Sequence, residues 1–161
     1  MIGEIVTIVA NVSLALSFVV ALIFGIAQVK AAARDRRERL TLETLRTFQS
    51  REFAELIYYV VSGNMPSSQK GLNELALNER VMFIEFAQKM ESLGMLVKAG
   101  LIDMDLVERT LGSLVTTAWL KYKTVFLTMR EGDPYIGEYF QWLAERMEEM
   151  LKENPRIPAY L

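Results

Sequence analysis

The chain contains no histidine and no cysteine among its 161 residues. These absences exclude zinc sites built on imidazole or thiolate ligands, nucleophile systems that histidine activates, and histidine general bases. The glycine-rich phosphate loops Gly-x-Gly-x-x-Gly and Gly-x4-Gly-Lys-Ser/Thr are missing as well. A net charge of −2 argues against a general nucleic-acid binder. We therefore predict a protein that is not an enzyme, carries no cofactor or metal and binds no nucleic acid.

Charge is also missing from residues 5–29, a run bracketed by Glu4 and Lys30. As a helix the run would be about 37 Å long, against a hydrocarbon core of about 30 Å. A secretory signal peptide, the alternative, has an apolar region of about 7–15 residues that follows positive charge. Here the run is longer, and the only charged side chain before it is Glu4. We predict a transmembrane helix over residues 1–30.

Basic residues crowd the C-terminal side of this run: Lys30, Arg34, Arg36, Arg37 and Arg39. Positive residues stay on the cytoplasmic side, which predicts a single-pass protein of the cell (plasma) membrane with its N-terminus outside. The same five residues are candidates for contact with anionic lipid head groups, although their role in topology would by itself explain them. The absence of cysteine agrees with a cytoplasmic domain.

The rest of the chain shows only helical patterns, which predicts an all-α fold in which the membrane helix continues into a small cytoplasmic helical bundle. Residues 31–50 are predicted as a basic juxtamembrane helical connector, 51–153 as the α-helical domain and 154–161 as an irregular tail. Residues 63–71, GNMPSSQKG, are the clearest loop. One predicted helix ends at Ala99 and carries apolar residues at three- and four-residue spacing, including Val81, Phe83 and Ile84.

Two groups of side chains in the domain have more than one interpretation. Asp103, Asp105 and Glu108 would offer oxygen ligands to a hard cation such as Mg²⁺, but capping of a helix N-terminus explains them without an ion. The aromatic residues are predicted to fill the core, with a ligand pocket as the alternative. They are Trp119, Tyr139, Phe140 and Trp142.

Two stretches of the domain resemble a known family: FAQKMESLGMLVKAGLIDMDLVERTLG (86–112) and DPYIGEYFQWLAERM (133–147), with Trp119 between them. The matching signature is Leu-Gly-x-Leu-Val at 93–97, Gly-Leu-Ile-Asp at 100–103, Trp119, and Tyr-Phe-x-Trp-Leu at 139–143. It is similar to an uncharacterised prokaryotic family of membrane-anchored helical proteins that carry a domain of unknown function. The resemblance implies one N-terminal span and a cytoplasmic helical domain, and it supplies no catalytic residues.

The uncharged run sorts its residues by type when it is set on a helical wheel. Small and polar residues share an arc of roughly 160° at 100° per residue, which we call the small-residue face: Thr7, Ala10, Asn11, Ser13, Ser17, Ala21, Gly25 and Gln28. The opposite arc, the aliphatic face, consists of β-branched residues and leucine: Ile5, Ile8, Val9, Val12, Leu16, Val19, Val20, Ile23 and Ile26. The separation is imperfect, since Leu14, Phe18 and Phe24 intrude on the small-residue face, and Ala15 and Ala27 lie outside it. A lone anchor surrounded by lipid still has no physical reason to sort its residues in this way.

The small-residue face predicts that the chain assembles with copies of itself, because membrane helices associate where small residues let their backbones approach. Ala10, Ser13, Ser17, Ala21 and Gly25 are the predicted packing residues. A dimer would bury a narrow stripe, whereas an arc this wide suits a ring whose axis can hold a pore. Candidate pore-lining residues are Thr7, Asn11, Leu14, Phe18 and Gln28, although helix contacts would equally consume the small and polar ones.

Two functions follow from this arrangement. The first is a homo-oligomeric pore or channel-like assembly with a cytoplasmic helical vestibule. The alternative is a membrane-tethered adaptor whose helical domain recruits a cytoplasmic protein or responds to a signal. The predicted partners are therefore other copies of the chain, membrane lipids and an unidentified cytoplasmic protein.

Overall fold

The computed structural model describes residues 2–63, 65–155 and 157, and within these residues every regular element is a helix. Six helices follow one another: α1 (Ile2–Thr47), α2 (Arg51–Val61), α3 (Gln69–Glu74), α4 (Leu77–Lys98), α5 (Met104–Met129) and α6 (Glu138–Glu153). The predicted all-α class is confirmed, and so is the continuation of the apolar N-terminal helix into a helical region. Most of the predicted tail 154–161 lies outside the described residues.

The chain divides into two units, Met1–Glu38 and Arg39–Leu161. In the first unit, residues 2–38 belong to α1, and all of them are exposed. The stretch contains no proline, and each backbone N–H beyond the first turn can bond within the helix. The unit therefore consists of a single helix that has no core of its own.

The second unit begins with the last turns of α1 and buries an apolar core. Thr41 and Leu45 are its first buried residues, and the Thr41 hydroxyl accepts a hydrogen bond from the Asp103 backbone N–H (2.8 Å). Helix α6 packs against α4 and α5, α2 packs against the same two helices, and α3 contacts α5. Helices α4, α5 and α6 thus form the centre of the domain.

Side chains fix the ends of these helices. Ser50 caps α2 by accepting a hydrogen bond from the Phe53 N–H (3.1 Å), and Asp103 caps α5 by accepting from the N–H groups of Asp105 (3.0 Å) and Leu106 (3.2 Å). Gly100 follows α4 with a φ of 69°, a conformation that favours glycine. The end of α4 at Lys98 therefore lies one residue before the predicted end at Ala99.

Two local features differ from the sequence-based predictions. The predicted loop 63–71 contains the beginning of α3, because the Ser68 side chain caps a short helix that starts at Gln69. On α4, Val81 and Ile84 are exposed, since the buried positions of that helix form a stripe on its other side. Those buried positions are Phe83, Phe86, Met90, Leu93, Gly94 and Val97.

An aromatic cluster fills the centre of the core, around the fully buried Phe140 of α6. Its ring meets Trp119 edge-on at 5.3 Å between centroids, Phe126 at 5.5 Å and Phe86 at 6.0 Å. These are the edge-to-face distances that aromatic pairs favour. Phe140 therefore joins α6 to both α4 and α5.

The closest approach of α4 and α6 occurs at Gly94. A Cβ atom at this position would lie 2.2 Å from the carbonyl oxygen of Tyr139 and 2.6 Å from its carbonyl carbon. One turn earlier on α4, the Glu91 carboxylate accepts hydrogen bonds from the N–H groups of Tyr139 (3.1 Å) and Phe140 (2.9 Å). The missing side chain of Gly94 thus lets the first turn of α6 come within reach of Glu91.

The contact at Gly94 generates a stability prediction. We expect Gly94→Ala to lower the free energy of unfolding of the domain by about 1–3 kcal/mol, because the new methyl group meets backbone rather than a movable side chain. Chemical denaturation of the full chain in detergent, followed by circular dichroism, measures this change. Gly132→Ala is the matched control: its nearest contact would be 3.8 Å away, so we expect a change within about 0.5 kcal/mol. Equal losses for the two variants would contradict the close approach.

Candidate functional site

The small-residue face lies on the exposed surface of α1. Ser13, Ser17, Ala21 and Gly25 follow one another at four-residue spacing, and a Cβ atom at Gly25 would meet nothing within 4 Å. Positions four apart lie above one another on a helix. The four small side chains therefore follow one another along α1, with open space beside Gly25.

Two hydroxyl groups on this face bond to the helix itself. Thr7 Oγ1 donates to the Gly3 carbonyl oxygen (3.0 Å) and Ser17 Oγ donates to the Ser13 carbonyl oxygen (2.8 Å). Such bonds satisfy the hydroxyl hydrogen without a second helix. Neither hydroxyl group therefore needs a partner from another chain.

The remaining candidates for a pore lining are also exposed. Leu14 and Phe18 are among the most exposed apolar residues of α1, with 75% and 70% of their surface accessible. Asn11 and Gln28 present side-chain amides, which carry two donors and one acceptor oxygen each. Asn11 lies well inside the uncharged run, and an amide there is costly in hydrocarbon unless it finds a partner.

The basic residues after the run are exposed, and two of them form ion pairs one turn along the helix. Arg34 Nε donates to Glu38 (2.9 Å), and Arg39 Nε lies 3.8 Å from a carboxylate oxygen of Glu43. The hydrogen bond to Glu38, together with its negative charge, raises the pKa of Arg34. Lys30, Arg36 and Arg37 are exposed too, so this part of α1 presents positive charge around its circumference.

An open groove of about 400 Å³ runs between the end of α1 and α4. Phe48 and Leu96 are half-buried in it, and Glu85 and Lys89 form an ion pair at its side (3.5 Å). The full lining is Thr44, Thr47, Phe48, Glu85, Gln88, Lys89, Ser92, Leu93 and Leu96. A mixed apolar and polar groove of this kind is suited to a peptide segment or a side chain of a partner.

The acidic candidates lie near a second groove, of about 310 Å³, between the start of α5 and the end of α6. Asp105, Glu108 and Arg109 line one side, and Met150, Leu151 and Asn154 line the other. Asp103 directs one carboxylate oxygen to the backbone of α5 as its cap. Across the described ranges, no three acidic side chains come together in a way that could hold a metal ion.

The four aromatic candidates separate into two environments. Trp119 and Phe140 lie in the core, whereas Tyr139 and Trp142 are half-buried. The Lys98 ammonium nitrogen lies 5.2 Å from the centre of the Tyr139 ring and 5.6 Å from that of the Trp142 ring, which are cation–π distances. The half-buried pair therefore packs against the last turn of α4.

Sequence reasoning missed the polar contacts that join α5 to α2. Lys121 Nζ donates to the carbonyl oxygens of Val60 (3.0 Å) and Val61 (3.2 Å), and the buried Tyr122 hydroxyl also donates to Val60. Burial lowers the pKa of Lys121 and raises that of Tyr122. These residues lie some 60 positions from their partners, so no local pattern in the sequence could have paired them.

Among the described residues, α1 is the one helix long and apolar enough to cross a membrane, by length and composition alone. The geometry thus defines an all-helical protein with one candidate span. A family model matches residues 15–147, so the chain belongs to the family defined by the domain of unknown function DUF4760. Comparison with curated proteins gave no match. Comparison with solved structures gave none either.

Proposed function

We propose that this chain is a single-span protein of the cell membrane that assembles with copies of itself through the small-residue face of α1. The assembly is a ring whose axis forms a pore, and the helical domain forms a vestibule on the cytoplasmic side. The N-terminus lies outside the cell, because the basic residues that follow the span stay in the cytoplasm.

The observation that carries this proposal is the exposure of residues 2–38, which form a single helix with no second helix in their unit to pack against. In a membrane, the aliphatic face is solvated by acyl chains. The small-residue face gains nothing special from lipid, since lipid tails are as apolar as leucine. A second helix, by contrast, can approach the backbone closely at Ser13, Ser17, Ala21 and Gly25. Copies of the same chain are the simplest source of that helix.

The polar groups support a ring rather than a dry dimer. Thr7 and Ser17 satisfy their hydroxyl groups within α1, whereas Asn11, the side-chain amide deepest in the run, still gains from a partner or from water. In a ring, each helix contacts two neighbours, and part of a wide arc is left to face the axis. Asn11 would then face water in the lumen, with Leu14 and Phe18 as an apolar constriction that closes by dewetting.

The assembly proposal predicts that a larger side chain weakens self-association only when it lies on the small-residue face. We expect Ala21→Leu to weaken self-association by about 1–3 kcal/mol, because the larger side chain separates helices that meet at small residues. Mass photometry of the full chain in detergent measures the subunit number. Ala27→Leu is the same substitution on the side of the aliphatic face, and we expect it to leave the assembly unchanged. A monodisperse monomer for the unsubstituted chain would refute self-association outright.

The pore proposal predicts ion flux across liposomes that contain the purified full chain. We expect Asn11→Leu to reduce the flux by roughly an order of magnitude, because an apolar ring at this level favours dewetting. Ala27→Leu again serves as the control and should conduct like the unsubstituted chain. An oligomer that conducts no ions under any gradient would refute the pore, and the assembly would then be a scaffold.

A membrane-tethered adaptor is the second candidate, and the groove between α1 and α4 favours it. This groove combines half-buried Phe48 and Leu96 with the exposed hydroxyl of Ser92, which is the composition of many peptide-binding sites. In this case α1 serves only to hold the domain at the membrane.

Exchange of the span distinguishes the adaptor from the pore. If residues 5–29 are replaced by an unrelated membrane helix, an adaptor should retain every protein that co-purifies with it from native membranes, whereas a pore should lose its conductance. Ser92→Arg is the companion variant, since a bulky charge in the groove should release a bound partner and leave conductance as it was. Co-purification followed by mass spectrometry measures the first outcome, and liposome flux measures the second.

A further inference from the structure

The basic residues that follow the uncharged run point in different directions. Because α1 continues as one helix from Ile2 to Thr47, its 3.6 residues per turn fix the direction of each side chain relative to the run. Lys30, Arg34 and Arg37 have the i, i+4, i+7 spacing of a single helix face. Arg36 lies on another side.

The side that carries Lys30, Arg34 and Arg37 is the continuation of the aliphatic face. The residues along the middle of that face follow one another at three- or four-residue steps, and the three basic residues extend the same series: Ile8, Val12, Leu16, Val19, Ile23, Ile26, Lys30, Arg34 and Arg37. At about 100° per residue, all nine fall within an arc of about 80°.

Arg36 continues the other series. Ser17, Ala21, Gly25, Gln28, Ala32 and Arg36 follow one another at the same steps along the small-residue face. On the wheel, Arg34 and Arg36 lie about 160° apart, on nearly opposite sides of α1. They are only two residues apart in the chain, so they lie at almost the same depth.

We propose that Lys30, Arg34 and Arg37 form a binding stripe for the head groups of anionic phospholipids, while Arg36 faces the neighbouring helices of the assembly. A lipid whose acyl chains lie along the aliphatic face has its phosphate where this face leaves the hydrocarbon, next to these three side chains. That Arg36 faces neighbouring helices and not lipid rests on the proposed self-association, since a lone helix would be surrounded by lipid on every side.

The contacts of Arg34 are compatible with this role. Its hydrogen bond to Glu38 uses Nε, and a guanidinium group carries four further N–H donors. The side chain is 80% exposed. Arginine forks match phosphate oxygens in geometry, and each basic residue near an anionic surface strengthens binding about fivefold.

The experiment compares Arg34→Gln with Arg36→Gln in the full chain. Both variants remove one positive charge at nearly the same depth, and glutamine preserves the helix. Phosphatidylglycerol or phosphatidylcholine is titrated into the detergent-solubilised protein, and native mass spectrometry counts the bound lipid and the subunits. We expect phosphatidylglycerol to bind about fivefold more weakly to Arg34→Gln and within twofold of normal to Arg36→Gln. Lys30→Gln combined with Arg34→Gln should weaken binding about 25-fold.

Three results would overturn the inference. Equal losses for Arg34→Gln and Arg36→Gln in an intact oligomer would show that the helix face does not matter. Equal losses in a monomer would overturn the proposed self-association as well, and the subunit count separates this case from the first. Displacement of the lipid by inorganic phosphate at equal concentration would identify the site as one for free phosphate. Phosphatidylglycerol that stays bound against inorganic phosphate, together with selective loss in Arg34→Gln, supports the stripe.

Discussion

The continuity of α1 as one helix is the constraint on which the proposed function depends. A helix satisfies its own backbone hydrogen bonds, which is the condition for crossing hydrocarbon. Because Ile2–Thr47 has no interruption, the position of a residue in the sequence also determines the side on which it lies. The sorting into a small-residue face and an aliphatic face is therefore a property of the molecule in three dimensions, and it extends to Lys30 and Arg36 beyond the run.

The helical domain depends on a comparable constraint at the junction of α4 and α6. Gly94 allows the backbone at Tyr139 to come close, and Glu91 then places its carboxylate on two N–H groups at the positive end of α6. Phe140, one of those two donors, brings its ring into the aromatic core. One glycine and one glutamate thus hold the first turn of α6 close to α4, next to the aromatic core.

The all-α class, the apolar N-terminal helix and the end of α4 were predictable because the signals that define them are local. Ser50 and Asp103 are residue types that cap the start of a helix, and Gly100 is the residue type favoured just after its end. The uncharged run is recognised from its own composition and length. The short helix α3 was missed because Gly, Pro and Ser surround it, and the outward direction of Val81 was missed because periodicity alone does not say which apolar stripe is buried. Contacts such as Lys121 with Val60 were beyond prediction, since they join residues whose proximity only the tertiary fold creates.

The family match covers part of the uncharged run as well as the helical domain. The match begins at residue 15, in the middle of the uncharged run, and continues through the domain to residue 147. An adaptor requires its anchor only to be apolar, a property that many unrelated sequences share. A pore requires the span and the domain to work as one body, so that the residues on each helix face matter. The family model includes both half of the run and nearly all of the domain, so part of the apolar helix belongs to the sequence that defines the family.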